Sequence, residues 1–368
     1  MKKLILLITL MMLTAPGFST TVVVDQSGGG DFTTIHSAVA AAASGDTILV
    51  MSGTYLLSLA QGAISITREL HLIGSGYDLP ENGGTQIIAS SAILSFSANA
   101  DGSSFSGFRA YGYGTPMINV AADEVVIENN HLTNSYNQGW LMQLSAGITS
   151  DTVRNNYIGF NGASNNPGIS LDQTIDVTIN NNVFFNCSWY GGIYVNGGTN
   201  SMITNNLFLS CATGVYTNGS AATIENNIFY NGTNGAGQIY TVSGTPTIST
   251  NCFFNNVANG ITGFFPILAN PGFIDFGNND TYAYTSYDSD NYNLHLSAGS
   301  ACINAGNASI AYNDLDGSLN DLGAYGGPWP LGTTGAPAMP IINQISVTPT
   351  GVAPGGTISI EVIGRFGE

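Results

Sequence analysis

Six times between residues 127 and 253 the chain repeats one frame: an aliphatic residue, a polar residue, two positions that are nearly always asparagine, one variable residue, then an apolar one. It reads IENNHL from Ile127, VRNNYI from Val153, INNNVF from Ile179, ITNNLF from Ile203, IENNIF from Ile224 and ISTNCF from Ile248, with starts 26, 26, 24, 21 and 24 residues apart. A repeat in the twenties is too short for a strand–helix–strand unit, but it accommodates one coil of three short strands. Stacked coils bury a face that no single coil can bury, so the pattern predicts an all-β solenoid. Strand chirality favours a right-handed parallel β-helix. About nine coils, each rising about 4.8 Å, make a rod roughly 45 Å long.

Alternation along a strand turns Ile127, Val153, Ile179, Ile203, Ile224 and Ile248 inward. It turns Glu128, Arg154, Asn180, Thr204, Glu225 and Ser249 out to solvent. The second asparagine of the frame (Asn130, Asn156, Asn182, Asn206, Asn227, Asn251) is expected to mark a sharp bend. Asparagine tolerates unusual backbone angles and its amide both donates and accepts, so equivalent residues can bond coil to coil in a ladder. Leu132, Ile158, Phe184, Phe208, Phe229 and Phe253 then form an apolar column beside it. Both columns are read as structural rather than catalytic.

Ahead of the coils, Phe32 to Ala43 places apolar residues at Ile35, Val39 and Ala42 or Ala43, a helical spacing that Gly45 ends. A helical plug over about residues 31–45 would cover the open end of the solenoid. DTILVMSGTY follows as the first strand, and β-branched runs alternate with Gly, Asn and Ser turns to about residue 270.

Charged residues make up only 8% of the 368, and glycine numbers 47, which suits tight turns better than surface helices. The start, MKKLILLITLMML, has a basic end, an apolar run and a small-residue exit near Gly17 and Ser19, so residues 1–19 read as a secretory signal. The run is too short to favour a spanning helix, leaving no transmembrane segment in the mature chain. Cleavage removes Lys2 and Lys3 and leaves Arg68, Arg109, Arg154 and Arg365 against 23 acidic residues. That balance excludes nucleic acid as a partner. Of the four cysteines, Cys187 and Cys211 share a slot in successive coils. Their expected separation of about 4.8 Å exceeds the roughly 3.8 Å preferred between bridged Cβ atoms, so stacked thiols are expected. Cys252 and Cys302 stay unassigned.

The opening SGGGDFTTIHSAVAAAASGDTILVMSGTY and the I-x-N-N-x-F coils resemble the right-handed parallel β-helix proteins of the pectate-lyase-like superfamily. Further on, NPGFIDFGNND, NYNLHLSAGSACINAG and NDLDGSLNDLGAYGGP resemble the closing segment of secreted bacterial β-helix proteins with a choice-of-anchor type region. The resemblance implies a β-helix over residues 20–330, a C-terminal capping segment over about 270–330, and a place outside a bacterial cell. It implies no one activity, because the superfamily holds lyases, hydrolases, esterases and binders alike. Residues 331–340 read as a Pro/Gly/Thr linker. Residues 341–368 alternate like the first two strands of an immunoglobulin-like sandwich, which two strands cannot close.

Three places could carry chemistry. GIYVN, GVYTN and QIYTV align Tyr194, Tyr216 and Tyr240 in one outward column, flanked by Asn196 and Asn218, with Asp172 one coil earlier. Sugars lay their C–H faces on such rings while amides and carboxylates take hydroxyls, so the expected partner is a polysaccharide or cell-surface glycan. The alternative is a tyrosine stack that only shields the sheet. Second, a polysaccharide lyase needs a base beside a neutralised carboxylate, and a glycoside hydrolase needs paired acids. The mature chain has no lysine, Arg154 lies on another strand, and Arg109 lies in a coil where Phe108 replaces the ladder asparagine and no register is fixed; of the nearest acids, Asp151, Asp172 and Asp176, the first and last read as turn caps. An enzyme is therefore the second reading, and a structural or adhesive rod the third. Third, NDLDGSLND crowds Asn313, Asp314, Asp316, Asn320 and Asp321 around Gly317, which makes calcium the one candidate cofactor. An Asx-turn that closes the solenoid explains the same residues. The histidines show no zinc spacing.

Overall fold

The computed structural model describes residues 19–77, 84–114, 116–134, 139–160, 168–187, 189–276 and 293–332, and the backbone of strands Ile341–Thr348 and Ser359–Arg365. The signal-peptide reading and most of the linker lie outside the described residues. The body is a parallel β-helix of about nine coils whose three faces are parallel sheets of ten, nine and eight strands. One coil runs through sheet A (Thr152–Arg154), sheet B (Tyr157–Phe160) and sheet C (Ile169–Asp172) before returning to sheet A at Thr178–Asn180. Each strand pairs with its equivalent one coil away, so Ile127, Val153, Ile179, Ile203, Ile224 and Ile248 form one buried column.

The two asparagines of the frame divide the labour. The second forms the ladder. Asn182 Oδ1 accepts from the backbone N–H and the side-chain amide of Asn156, both at 3.0 Å. Its own amide donates to Val153 O at 2.9 Å, Asn180 O at 3.0 Å and Asn206 Oδ1 at 3.0 Å. The same bonds run from Asn130 to Asn251, so each fully buried amide is satisfied. At the N-terminal end Phe108 takes the ladder slot, and its N–H still donates to Asn130 Oδ1 at 3.0 Å.

The bend, however, belongs to the first asparagine and not to the second as expected. Asn129, Asn155, Asn181, Asn205 and Asn226 have φ between 53° and 61°, and Thr250 follows at 49°. This left-handed residue aims its side chain away from the core while the next aims inward, which is why the frame carries two amides. Beside the ladder the rings of Phe184, Phe208, Phe229 and Phe253 stack at 4.8 to 5.0 Å. Glycine at the entry to sheet C makes room for them. A Cβ on Gly214 would lie 2.4 Å from the Phe229 ring, and one on Gly192 would lie 2.8 Å from the Phe208 ring.

The N-terminal plug is shorter than the expected 31–45. Helix α1 spans Ile35–Ala41, starts at a Thr34 cap that accepts from Ser37 N, and buries Ile35, Ala38 and Val39 against the first coils. Arg68 donates to Ala42 O at 2.8 Å and Val39 O at 2.6 Å, a cation placed at the negative end of the helix. DTILVMSGTY is not the first strand. Thr21–Val24 precedes it and pairs with Asp46–Val50, while a bend at Gly53 (φ 144°) sends Gly53–Leu57 into sheet B.

The C-terminal segment lies along the flank rather than across the end. Residues 293–332 run over the outer face of sheet B as a strap. Tyr325 Oη lies 3.0 Å from Tyr157 Oη, and Asn181 Nδ2 donates to Ala324 O at 3.0 Å and Gly326 O at 2.7 Å. Asn205 Nδ2 donates to Asn320 Oδ1 at 3.1 Å, and Gly323 N to Asn226 O at 2.9 Å. The first asparagines of three successive coils thus hold the strap. Beneath it Val183, Phe185, Leu207, Leu209, Ile228 and Tyr230 form a second apolar cluster with Leu294, Leu322 and Leu331.

The strap corrects a second expectation. Asn180, Thr204 and Glu225 were expected in solvent, yet they are only 6%, 6% and 4% exposed. Glu225 Oε2 accepts from Asn307 Nδ2 at 3.0 Å and from Ser249 Oγ at 3.2 Å. Farther up the rod Arg154 stays partly exposed, 2.6 Å from Glu128 and 4.5 Å over the Trp329 ring.

All four cysteines are free and buried. Cys187 and Cys211 stack as thiols, and Cys252 meets Cys302 where the last coil touches the strap; burial and then the Cys211 sulfur push Cys187 up, the hydrogen bond with Cys302 and then burial push Cys252 up, and both stay protonated. Ile341–Thr348 and Ser359–Arg365 pair as a small antiparallel sheet. Among the described residues no helix is long and apolar enough to cross a membrane.

Candidate functional site

Sheet C carries the site because its outer face combines aromatic and polar columns. Ile193, Val195, Val215 and Ile239 point into the core, so alternation puts Tyr194, Tyr216 and Tyr240 outside in matched register. Their ring centroids are 5.2 Å apart at each step, with interplanar angles of 41° and 43°. Trp140 extends the row and stacks on Tyr194 at 5.6 Å and 25°. Ser170 holds the register position between Gln143 and Tyr194, and its small side chain leaves the space across which the indole reaches. Tyr190 meets Tyr194 and Tyr216 edge-on at 5.9 and 5.8 Å.

A polar column runs beside the rings. Ser243 Oγ donates to Asn218 Oδ1 at 3.0 Å, Asn218 Nδ2 to Asn196 Oδ1 at 3.2 Å, and Asn196 Nδ2 to Asp172 Oδ1 at 2.9 Å. Every bond points the same way and the series ends on a carboxylate. Trp140, Gln143, Ser170, Asp172, Tyr190, Tyr194 and Asn196 line a groove of ≈ 420 Å³ at that end. Burial, then the phenols of Tyr194, Tyr240 and Tyr190, push the Tyr216 hydroxyl up, so it remains a neutral donor and acceptor at physiological pH.

All six residues singled out on this strip, Tyr194, Tyr216, Tyr240, Asn196, Asn218 and Asp172, therefore lie together. Trp140, Gln143, Ser170 and Tyr190 were missed. Gln143 and Ser170 could have been found by extending the tyrosine register upward. Trp140 and Tyr190 sit in the turns between sheets B and C, where coil length varies and no register carries over.

The residues weighed for catalysis are dispersed. Arg154 is on sheet A and Arg109 on sheet B, where it pairs in register with His131. His131 is buried, and burial with the charge of Arg109 pushes it down to about 3, which keeps it neutral. Asp151 and Asp176 occupy the turn between sheets C and A. Asp151 Oδ1 accepts from Val125 N at 2.7 Å, and Asp176, at φ 55°, accepts from Asn200 Nδ2 at 3.0 Å.

The oxygens of the Asn313–Asp321 loop hold the strap together. Asp314 accepts from the backbone N–H groups of Asp321 and Gly327, Asp316 from Ser318, and Asp321 from Asn304 N. Asn320 is fully buried and donates to Tyr312 O, and Asn313 Nδ2 donates to Gly317 O. Among the described residues no group of three or more His, Cys, Asp or Glu side chains is disposed to hold a metal ion.

The buried carboxyl of Asp151 and the half-buried one of Asp314 make stability depend on pH. Burial pushes Asp151 up to about 7, and its Oδ2 is buried without a partner; burial and the charge of Asp321 push Asp314 up to about 7. Such groups bind their protons more tightly folded than unfolded. Their stabilisation is complete below the unfolded value of 3.8 and is lost as pH rises through about 7. His131, held at about 3, works the other way up to about pH 6.5 and offsets one of the two carboxyls there, so the urea midpoint is still expected to fall from about pH 4.5 to about pH 8, and Asp151→Asn is expected to flatten the slope. A midpoint that rises over that window would contradict the assignment.

Residues 117–264, which contain the ladder coils, match the family model described as right handed beta helix region. No curated protein matches the chain. Among solved structures the chain is similar to pectate lyase Pel9A, at 17% identity and TM-score 0.38, over 84% of this chain and 96% of that one. A mannuronic acid specific polysaccharide family 6 lyase from human gut microbiota aligns at 14% identity and TM-score 0.38, over 68% and 67%. The Dettilon tailspike protein aligns at 13% and 0.28, over 67% and 68%.

Proposed function

We propose that this protein is a secreted or cell-surface β-helix that binds glycan on the outer strip of sheet C. The observation that carries the reading is the juxtaposition of two matched columns, Trp140–Tyr194–Tyr216–Tyr240 and Asp172–Asn196–Asn218–Ser243, with a groove at their Trp140 and Asp172 end. Rings offer flat faces for sugar C–H bonds. Amides and the Asp172 carboxylate offer donors and acceptors that fix hydroxyl groups. A shielding stack explains the tyrosines alone; it gives no reason for a bonded polar column and an open groove at their side. Placement outside the cell rests on the basic and apolar N-terminal run.

Replacing Tyr194 and Tyr216 together with alanine is expected to weaken glycan retention at least tenfold, about 1.4 kcal/mol, while melting stays close to wild type because both rings are surface-facing. Glycan-array and affinity-electrophoresis measurements on the folded double variant decide this, and undiminished retention would remove the reading. The same samples, incubated with polysaccharides with and without calcium, report reducing ends and unsaturated products. Turnover there would replace the binding reading with an enzymatic one.

A further inference from the structure

We infer that the sheet C strip selects uncharged, hydroxyl-rich glycan and excludes polyuronates; this rests on the glycan-binding reading above. A polyuronate carries a carboxylate on every unit, and holding it requires cations spaced along the site. The described arginines all lie on other elements, Arg365 on the small C-terminal antiparallel sheet among them. Arg68 sits at the end of helix α1 and donates to Ala42 O and Val39 O. Arg154 is on sheet A, against Glu128 and Trp329. Arg109 is on sheet B beside His131. The histidines follow suit: His36 is in helix α1, His71 on sheet A, His131 on sheet B and His295 in the strap. Among the described residues, then, sheet C presents no cationic side chain.

What the strip presents is a negative charge. Asp172 lines the groove, and the one-way series from Ser243 through Asn218 and Asn196 orients each side-chain dipole toward that carboxylate. The chain as a whole has a formal charge of −17. A uronate arriving at the rings meets repulsion both at long range and at Asp172. A neutral sugar meets only flat faces and hydroxyl partners. The rings succeed one another at centroid spacings of 5.6, 5.2 and 5.2 Å, so one chain laid parallel to the axis meets them in turn.

The test uses the full chain in EDTA at low ionic strength against a neutral β-glucan, polygalacturonate and a chitosan oligosaccharide. The expected result is retention of the β-glucan, with polygalacturonate at least tenfold weaker. Asp172→Lys, with melting unchanged, is expected to raise polygalacturonate retention at least tenfold, and adding Tyr194→Ala to abolish the gain. Wild-type retention of polygalacturonate equal to or above that of β-glucan overturns the selectivity. So does a preference for chitosan, or a folded Asp172→Lys variant with no gain. If the folded wild type retains none of the three, the binding reading itself falls.

Discussion

Replacing Asn182 with alanine is expected to cost about 4 kcal/mol, among the largest effects of any single substitution in the chain. The side chain sits at the middle of the ladder and leaves unpaired groups on both sides when removed. The backbone N–H and amide of Asn156 lose their acceptor, and Val153 O and Asn180 O lose a donor. All lie in a region closed to water, where each orphaned group costs about 1–3 kcal/mol. Aspartate at the same position is isosteric and still accepts, but it brings a buried charge and loses the donated bonds to Val153 O, Asn180 O and Asn206 Oδ1, so it is expected to be worse at neutral pH. Urea unfolding followed by circular dichroism measures both. A loss below about 1 kcal/mol for Asn182→Ala would show that the ladder is incidental to the coil.

A chain ending at residue 276 is expected to aggregate or to bind hydrophobic dye strongly. Without the strap, Val183, Phe185, Leu207, Leu209, Ile228 and Tyr230, each at most 3% exposed, become one open apolar face on sheet B. At about 1.5–3 kcal/mol for each large side chain uncovered, the loss is on the order of 10 kcal/mol. A contiguous apolar patch of that kind also associates with its own copies. Light scattering and dye fluorescence of the shortened chain report the outcome. A monodisperse product that melts with the full chain would mean that the strap is an ornament.

These two expectations mark where the sequence was legible. The ladder, the aromatic column and the tyrosine column all derive from equivalent positions in successive coils, and a fixed register makes equivalent positions visible as a period. The role of the first asparagine was hidden because a left-handed bend and a ladder rung use the same residue type at adjacent positions. The strap was hidden for a different reason. Contacts such as Tyr157 with Tyr325 and Asn181 with Gly326 join residues more than a hundred positions apart, and no local pattern encodes them. For the same reason Glu225 looked solvent-facing by alternation and is buried in fact. Trp140 escaped because it lies in a turn, where the chain abandons the period that made the strip readable.

If the aromatic row on sheet C receives carbohydrate, as proposed, Trp140, stacked on Tyr194 at the groove, is placed to report it. Titrating a neutral glycan into the full chain is predicted to give a saturable change in tryptophan emission that disappears in Trp140→Phe and persists in a variant of the remote Trp329, Trp329→Phe. An emission spectrum that does not respond to any neutral glycan, or a response that survives the loss of Trp140, would contradict it.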